Sequence, residues 1–80
     1  MKEVGEITHY YGHINVAVVK VKDTLNKGDK VNIKGHTTDF EQEIESMQID
    51  HKEIETAKKS QEIGMKVKDA VRKGDKLFKA

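Results

Sequence analysis

"DTLNKGDKV" runs from Asp23 to Val31, and "DAVRKGDKL" runs from Asp69 to Leu77. Asp, Lys, Gly, Asp and Lys recur in register: Asp23/Asp69, Lys27/Lys73, Gly28/Gly74, Asp29/Asp75 and Lys30/Lys76. Leu25/Val71 and Val31/Leu77 exchange one aliphatic for another. Gly tolerates positive φ, while Asn and Asp bond the local backbone, so Asn26-Lys27-Gly28-Asp29 is a turn. Neither copy is a phosphate loop, because both lack the run of glycines and the following helix that would present backbone N–H groups. The phrase therefore reads as construction: Lys-Gly-Asp makes the turn, and the next aliphatic points into the core. Two copies place two similar strand starts around one small fold.

Working outward, the segments between the turns read as short strands. Val4–Tyr11 alternates loosely and holds Thr, Tyr and Ile, residues that favour strands. Gly12 breaks it, and His13–Lys22 continues as a Val-rich strand, so a hairpin is expected. Its apolar positions change parity, with Ile14, Val16 and Val18 on one face and Val19 and Val21 on the other. Lys30–Lys34 alternates with Val31 and Ile33 inward. Phe40–His51 is ambiguous on local propensity. Phe40, Ile44 and Met47 are at helical spacing, whereas a strand needs a bulge near Glu45-Ser46. Glu53–Lys59 is polar, with room for a helical turn. Gln61–Lys68 alternates with Ile63, Met65 and Val67 inward, and Asp75–Lys79 closes the chain with Leu77 inward. Strands at this spacing predict an all-β fold, a small closed or nearly closed antiparallel β-barrel of about six strands in a single domain, residues 1–80. The expected core is Val4, Ile7, Ile14, Val16, Val18, Val31, Ile33, Ile44, Met47, Ile49, Ile63, Met65, Val67 and Leu77.

Eighty residues suit one small domain with a limited core. There is no Cys, hence no disulfide or thiolate metal site. The longest apolar run is Val16–Val19, too short to span a membrane, and "MKEVGEI" has no apolar signal region. A cytoplasmic protein is expected. The net charge is +1 although 36% of residues are charged. Residues 39–55 hold seven acids and one Lys, while residues 56–80 hold eight bases and three acids. That separation predicts a two-faced surface, provided folding does not interleave the charges.

The ordered series "VGEITHYYGHINVAVVKV", "TLNKGDKVNIKG", "FEQEIESMQID", "ETAKKSQEIGMKV" and "AVRKGDKLF" resembles the second domain of translational GTPases of the elongation factor Tu type. The resemblance covers about residues 4–79 and implies a small antiparallel β-barrel, with Phe40–His51 as strand. It departs from the pattern at Thr56-Ala57, where Glu-Ala is usual, and at Ser60, where Gly is usual. If that last position needs positive φ, Ser carries a steric cost. No G-x-x-x-x-G-K-[ST] occurs, so the GTPase part is absent. Small barrels of this kind are also accessory domains of unrelated enzymes, including at the end of some U32-family peptidases. The resemblance thus implies a barrel more firmly than it implies translation.

Chemistry-bearing residues are sparse. His9 and His13 flank "YYG" without a third ligand, so no metal or other cofactor is expected. Tyr10 and Tyr11 are candidates for base stacking, but strand alternation turns one of them inward. His36-Thr37-Thr38-Asp39 is a loop rather than a triad, since triads join distant segments. The basic last third offers Lys58, Lys59, Lys66, Lys68, Arg72 and Lys73 as a candidate nucleic-acid contact. Lys58, Lys59, Arg72 and Lys73 come together only if their two loops approach across the barrel. Two function classes follow. One is a stand-alone translation-factor-like module contacting RNA or a ribonucleoprotein, without GTPase activity. The other is a protein–protein interaction or accessory domain working with a separately encoded enzyme. No nucleophile–base pair stands out, so the chain is not expected to be an enzyme itself.

Overall fold

A computed structural model describes residues 2–79. Ten strands follow one another: β1 (Lys2–Tyr11), β2 (Val16–Val21), β3 (Leu25–Asn26), β4 (Lys30–Lys34), β5 (Asp39–Glu43), β6 (Met47–Ile49), β7 (Lys52–Ile54), β8 (Thr56–Ala57), β9 (Glu62–Lys66) and β10 (Lys76–Lys79). Eight form one antiparallel sheet in the order β5-β4-β10-β1-β2-β9-β6-β7, and β3 pairs with β8 in a short ribbon. The sheet curls strongly into an open half-barrel. The expected all-β class holds, but the closed six-strand barrel does not: β5 and β7 are free sheet edges. Phe40–His51 is strand at 40–43 and 47–49, broken at Ile44-Glu45-Ser46 as the strand reading requires and ending in a turn at Asp50-His51, and Glu53–Lys59 holds short strands at 53–54 and 56–57 rather than a helical turn.

The repeated phrase builds the same object twice. In the first copy the Asp29 N–H donates to the Asn26 carbonyl at 3.0 Å, and the Asp29 carboxylate accepts from the Asn26 N–H at 2.9 Å. In the second, the Asp75 N–H donates to the Arg72 carbonyl at 3.0 Å, and the Asp75 carboxylate accepts from the Arg72 N–H at 2.9 Å. Gly28 and Gly74 have φ of 95° and 96°. A bond closing four residues, with positive φ at the third, is a type II turn and calls for Gly there. Each turn also grips a neighbouring strand segment. Gly28 N–H donates to the Ile44 carbonyl and Ile44 N–H to the Asp29 carbonyl, both at 2.8 Å. Gly74 N–H donates to the Ile7 carbonyl at 2.8 Å and Ile7 N–H to the Asp75 carbonyl at 2.7 Å. Ile7 and Ile44 are both buried, as are Leu25 and Val71, which precede the turns. The strands leaving the turns, β4 and β10, pair antiparallel with each other, Ile33 opposite Leu77. The order β5-β4-β10-β1 is thus a local two-fold arrangement.

The core comprises Val4, Ile7, Ala17, Val19, Val21, Leu25, Val31, Ile33, Ile44, Met47, Ala57, Ile63, Met65, Val67, Val71 and Leu77. One expectation is inverted. Ala17, Val19 and Val21 are the inward row of β2, so Val16 and Val18 face outward, and Ile14 is 54% exposed. Strand parity is binary, and choosing the wrong row moves every side chain to the other face. Ile49 is half-buried at the margin of the core.

The open side is bridged by a side chain. Gln42, buried on edge strand β5, donates from Nε2 to the Lys66 carbonyl at 3.0 Å and accepts the Lys68 N–H on Oε1 at 2.9 Å. One amide thereby satisfies two backbone groups across the seam. Gln42→Ala is expected to destabilise by about 1–3 kcal/mol, the cost of leaving such groups without partners. Urea denaturation followed by circular dichroism measures it, and an unchanged midpoint would dismiss the bridge.

The turns make a second, opposed pair of expectations. Nothing lies within 4 Å of where a Cβ would stand at Gly28 or Gly74, so substitution costs backbone energy alone. Gly74→Ala should lose about 1–2 kcal/mol. Ser60 has φ of 77°, confirming that this position needs positive φ. Ser60→Gly should therefore raise the denaturation midpoint, by about 0.5–1 kcal/mol in stability.

Candidate interaction surface

The outward row of β2 sits in the middle of an apolar groove. Val16 and Val18 are half-buried, while Tyr11 and Ile14 stand 41% and 54% exposed at the β1–β2 hairpin tip. Hairpin geometry holds the tip. The Ile14 N–H donates to the Tyr11 carbonyl at 3.2 Å, Asn15 takes a positive φ of 55°, and the Tyr10 hydroxyl meets Asn15 Oδ1 at 3.4 Å. Tyr10 turns toward the core and Tyr11 away from it, as alternation requires. His9 and His13 flank Tyr11, with ring centroids 4.6 Å and 6.4 Å from it.

Across the sheet, Val18 is opposite Gly64 on β9, and Gly64 is opposite Gln48 on β6. With no side chain on Gly64, the row dips, leaving a groove of about 330 Å³. Its far wall is the Asp50-His51 connection between Ile49 and Lys52. Both residues have positive φ, 52° and 65°, which is the two-residue hairpin turn of type I′.

The six basic candidates do not converge. All are exposed. Lys58 and Lys59 precede β9, where the Ser60 N–H bonds the Val21 carbonyl. Lys66 and Lys68 lie at the other end, where the Val67 N–H bonds the Asn15 carbonyl, about 17 Å along a five-residue strand. Arg72 and Lys73 sit in the second turn, against Ile7. Strands β1 and β2 stand between that turn and the Lys58-Lys59 loop, about 14 Å at ordinary strand spacing. Charge segregation is also broken by the fold. On the β4–β5 pair, Lys30 is opposite Glu43 and Lys34 opposite Asp39, so the acidic run interleaves with bases.

Paired charges gather instead where the two ends of the described chain meet, at Lys2 opposite Lys79. Lys22 bonds Glu3 and lies 3.4 Å from Glu6, Lys76 lies 3.6 Å from Glu3, and Lys2 pairs with Asp23. Lys79 meets Asp29 at 3.0 Å. The Lys22 ammonium holds the Glu3 carboxyl below its ordinary range, and Lys2 does the same for Asp23. Burial alone would raise Asp29, but the Asn26 N–H and Lys79 outweigh it and the net shift is downward. Lys22 is shifted upward, chiefly by Glu3.

The groove escaped the sequence reading because Ile14, Val16 and Val18 were placed in the core. The available signal was Gly64 inside a strand pattern, which marks a bulge or an opening on the surface. No helix among the described residues is long and apolar enough to cross a membrane.

Comparisons with known proteins agree with one another. A family model, Peptidase family U32 C-terminal domain, matches residues 2–77. An uncharacterized protease of Methanocaldococcus jannaschii is 38% identical over 77 residues, covering 95% of this chain and 19% of that protein. A collagenase of Porphyromonas gingivalis is 33% identical over 78 residues, covering 95% of this chain and 22% of that protein. The chain thus spans about a fifth of the length of these curated relatives. Two crystal structures of the C-terminal domain of a Geobacillus thermoleovorans protein assigned to the U32 peptidases superpose with TM-scores of 0.93 and 0.92. They are 24% and 23% identical and cover 99% of this chain; the chain covers 100% and 92% of them. These findings overturn the resemblance to the second domain of elongation factor Tu, and with it the stand-alone translation-factor reading. The shared series of turns and strands is a grammar of small curled β-sheets, and GD turns recur wherever a strand restarts with positive φ.

The paired charges fix an acid limit. Carboxyls depressed in the folded state stabilise fully above their unfolded values and lose that contribution as pH falls through the folded ones. Lys22, raised in the folded state, contributes below its unfolded value and loses its contribution as pH rises beyond it. Stability should be level near neutrality and fall below about pH 4. Asp29→Asn should shrink the acid fall, and about 0.5 M salt should shrink the Asp23 part most, since its side chain is the most exposed of the three carboxylates. Urea midpoints across pH measure this; a fall beginning near pH 6 would point to other groups.

Proposed function

Because the chain belongs to the family of U32 peptidase C-terminal domains, we propose that residues 1–80 form an accessory module of a U32-type peptidase. The module presents a binding surface, and the larger part that the relatives possess carries the hydrolytic chemistry. The observation that carries this reading is coverage: 95% of this chain matches about a fifth of a protease. A core and sheet complete within residues 2–79 support it, since such a unit keeps its shape beside another domain. Where the sequence reading had the enzyme encoded separately, the relatives carry both parts in one chain. A cytoplasmic setting belongs to the same proposal, supported by the absence of Cys. The partner is polypeptide, in keeping with what the relatives are named for: protease and collagenase.

The test is an exchange. In the Methanocaldococcus jannaschii relative, the matching segment is deleted or replaced by this chain. Cleavage of unfolded casein is then compared with cleavage of a short fluorogenic peptide. Remote binding contributes to long substrates more than to short ones. Deletion should lower kcat/KM for casein by about tenfold more than for the short peptide, or about 1.4 kcal/mol, and the replacement should restore it. Equal losses on both substrates, or hydrolysis by this chain alone, would overturn the accessory reading.

A further inference from the structure

We propose that the outer-face groove over Gly64 is a docking site for an extended polypeptide segment carrying a large apolar side chain next to a Lys or Arg. This deepens the accessory reading and rests on it only for the choice of a protease substrate as the physiological partner.

Size narrows the occupant first. At about 330 Å³ the groove is at the bottom of the range for small-molecule sites, and it is open along one side. It holds one or two side chains rather than an enclosed cofactor. Its floor is backbone at Gly64, and a Cβ there would come to 3.4 Å from Val16 Cγ1. Val16 and Val18 form one wall and Ile14 with Tyr11 the rim. An inserted aliphatic or aromatic side chain meets apolar atoms on these sides and displaces water from a surface that is apolar on a small exposed face.

Charge narrows it further. Asp50, on the far wall, has no ion pair among the described residues. No Lys or Arg lines the groove. A carboxylate beside an apolar slot complements a cation next to an apolar side chain. On β9, Lys66 stands opposite Val16 and borders the slot without lining it, while the exposed Lys58 and Lys59 stand at the other end of the strand.

Position supports a partner other than the catalytic body. Lys2 and Lys79 are paired at one end of β1, and the groove rim at Tyr11 is at its other end. Ten residues of strand separate them by about 30 Å. A connection to a larger body at either Lys2 or Lys79 would join the module at the end of β1 away from the groove.

The test uses the isolated chain, amide NMR and three capped hexapeptides. The first carries Lys-Phe-Lys between glycines, the second Glu-Phe-Glu, and the third Lys-Gly-Lys. Oligouridylate is the fourth probe. The expected result is saturable shifts at Ile14, Val16, Val18 and Gly64 with the first peptide by about 5 mM, weak binding being normal for one anchor. Affinity should be at least about fivefold weaker for the second and third peptides, and about threefold weaker for Asp50→Asn with the first. Ile14→Ser, at an exposed position that leaves the core intact, should weaken binding about fivefold. No shifts with Lys-Phe-Lys overturns the proposal. So do equal shifts with Glu-Phe-Glu, shifts at these amides with oligouridylate, or shifts there on protein dilution alone, which would mean a second copy is the occupant. Loss of casein discrimination in the exchange experiment leaves this binding result standing, so the two readings fail separately.

Discussion

Two aspartate-closed glycine turns hold the sheet in its curl. Each couples a local bond, backbone of the fourth residue to the first, with a carboxylate that returns to the first residue's N–H. Each then exchanges two backbone bonds with a buried isoleucine elsewhere in the chain, Ile44 for the first and Ile7 for the second. The turn therefore sets both the direction of the strand that leaves it and the place of the strand it grips. Because β4 and β10 leave the two turns and pair with each other, the phrase is written twice for the two related ends of one four-strand unit. Gly35 shows how tightly this unit is packed: a Cβ there would overlap the Asp75 carboxylate.

Much of this was legible. The turn chemistry of Asn26–Asp29 and Arg72–Asp75 announces itself in residue type, and so do the alternating β4 and β9. Ser60, flagged for standing where Gly is usual, has the positive φ that made it suspect. The closure of the sheet was not legible. Whether a curled sheet meets its own edge depends on the register of distant strands, and nothing local in Gln42 reveals that its amide spans a seam rather than facing solvent. The parity of β2 was not legible for a different reason. Ile14 to Val21 holds apolar residues on both rows, so a period-two rule gives two answers. The register that sets Ala17 beside Met65, both buried, decides, and that pairing is non-local. Missing the parity concealed the groove, because the same three side chains were counted as core.

The two faces of the sheet consequently have different jobs. The inner face is continuous and aliphatic, and the outer face near the hairpin tip repeats that chemistry on a small scale. An outward Val pair opposite a glycine is a poor way to stabilise a fold, since it leaves apolar area wet on an 80-residue chain that has little core to spare. It is a reasonable way to build a slot. The Lys2/Lys79 end, by contrast, carries most of the ion pairs among the described residues, which suit a solvated or loosely apposed surface.

Backbone strain is unevenly distributed. Where positive φ serves the fold, at the two repeated turns, the residue is glycine, and the cost is small. At Ser60, before β9 and away from the groove, and again around the groove it is not. Asn15, Asp50 and His51 all take positive φ with side chains attached, each costing about 1 kcal/mol that glycine would remove. A turn that only needed to reverse the chain between Ile49 and Lys52 would be served better by Asn-Gly. Keeping Asp50 and His51 there puts a carboxylate and an imidazole on the wall of an apolar groove. Strain accepted in exchange for side chains at a surface slot is in keeping with the recognition site proposed at the hairpin tips.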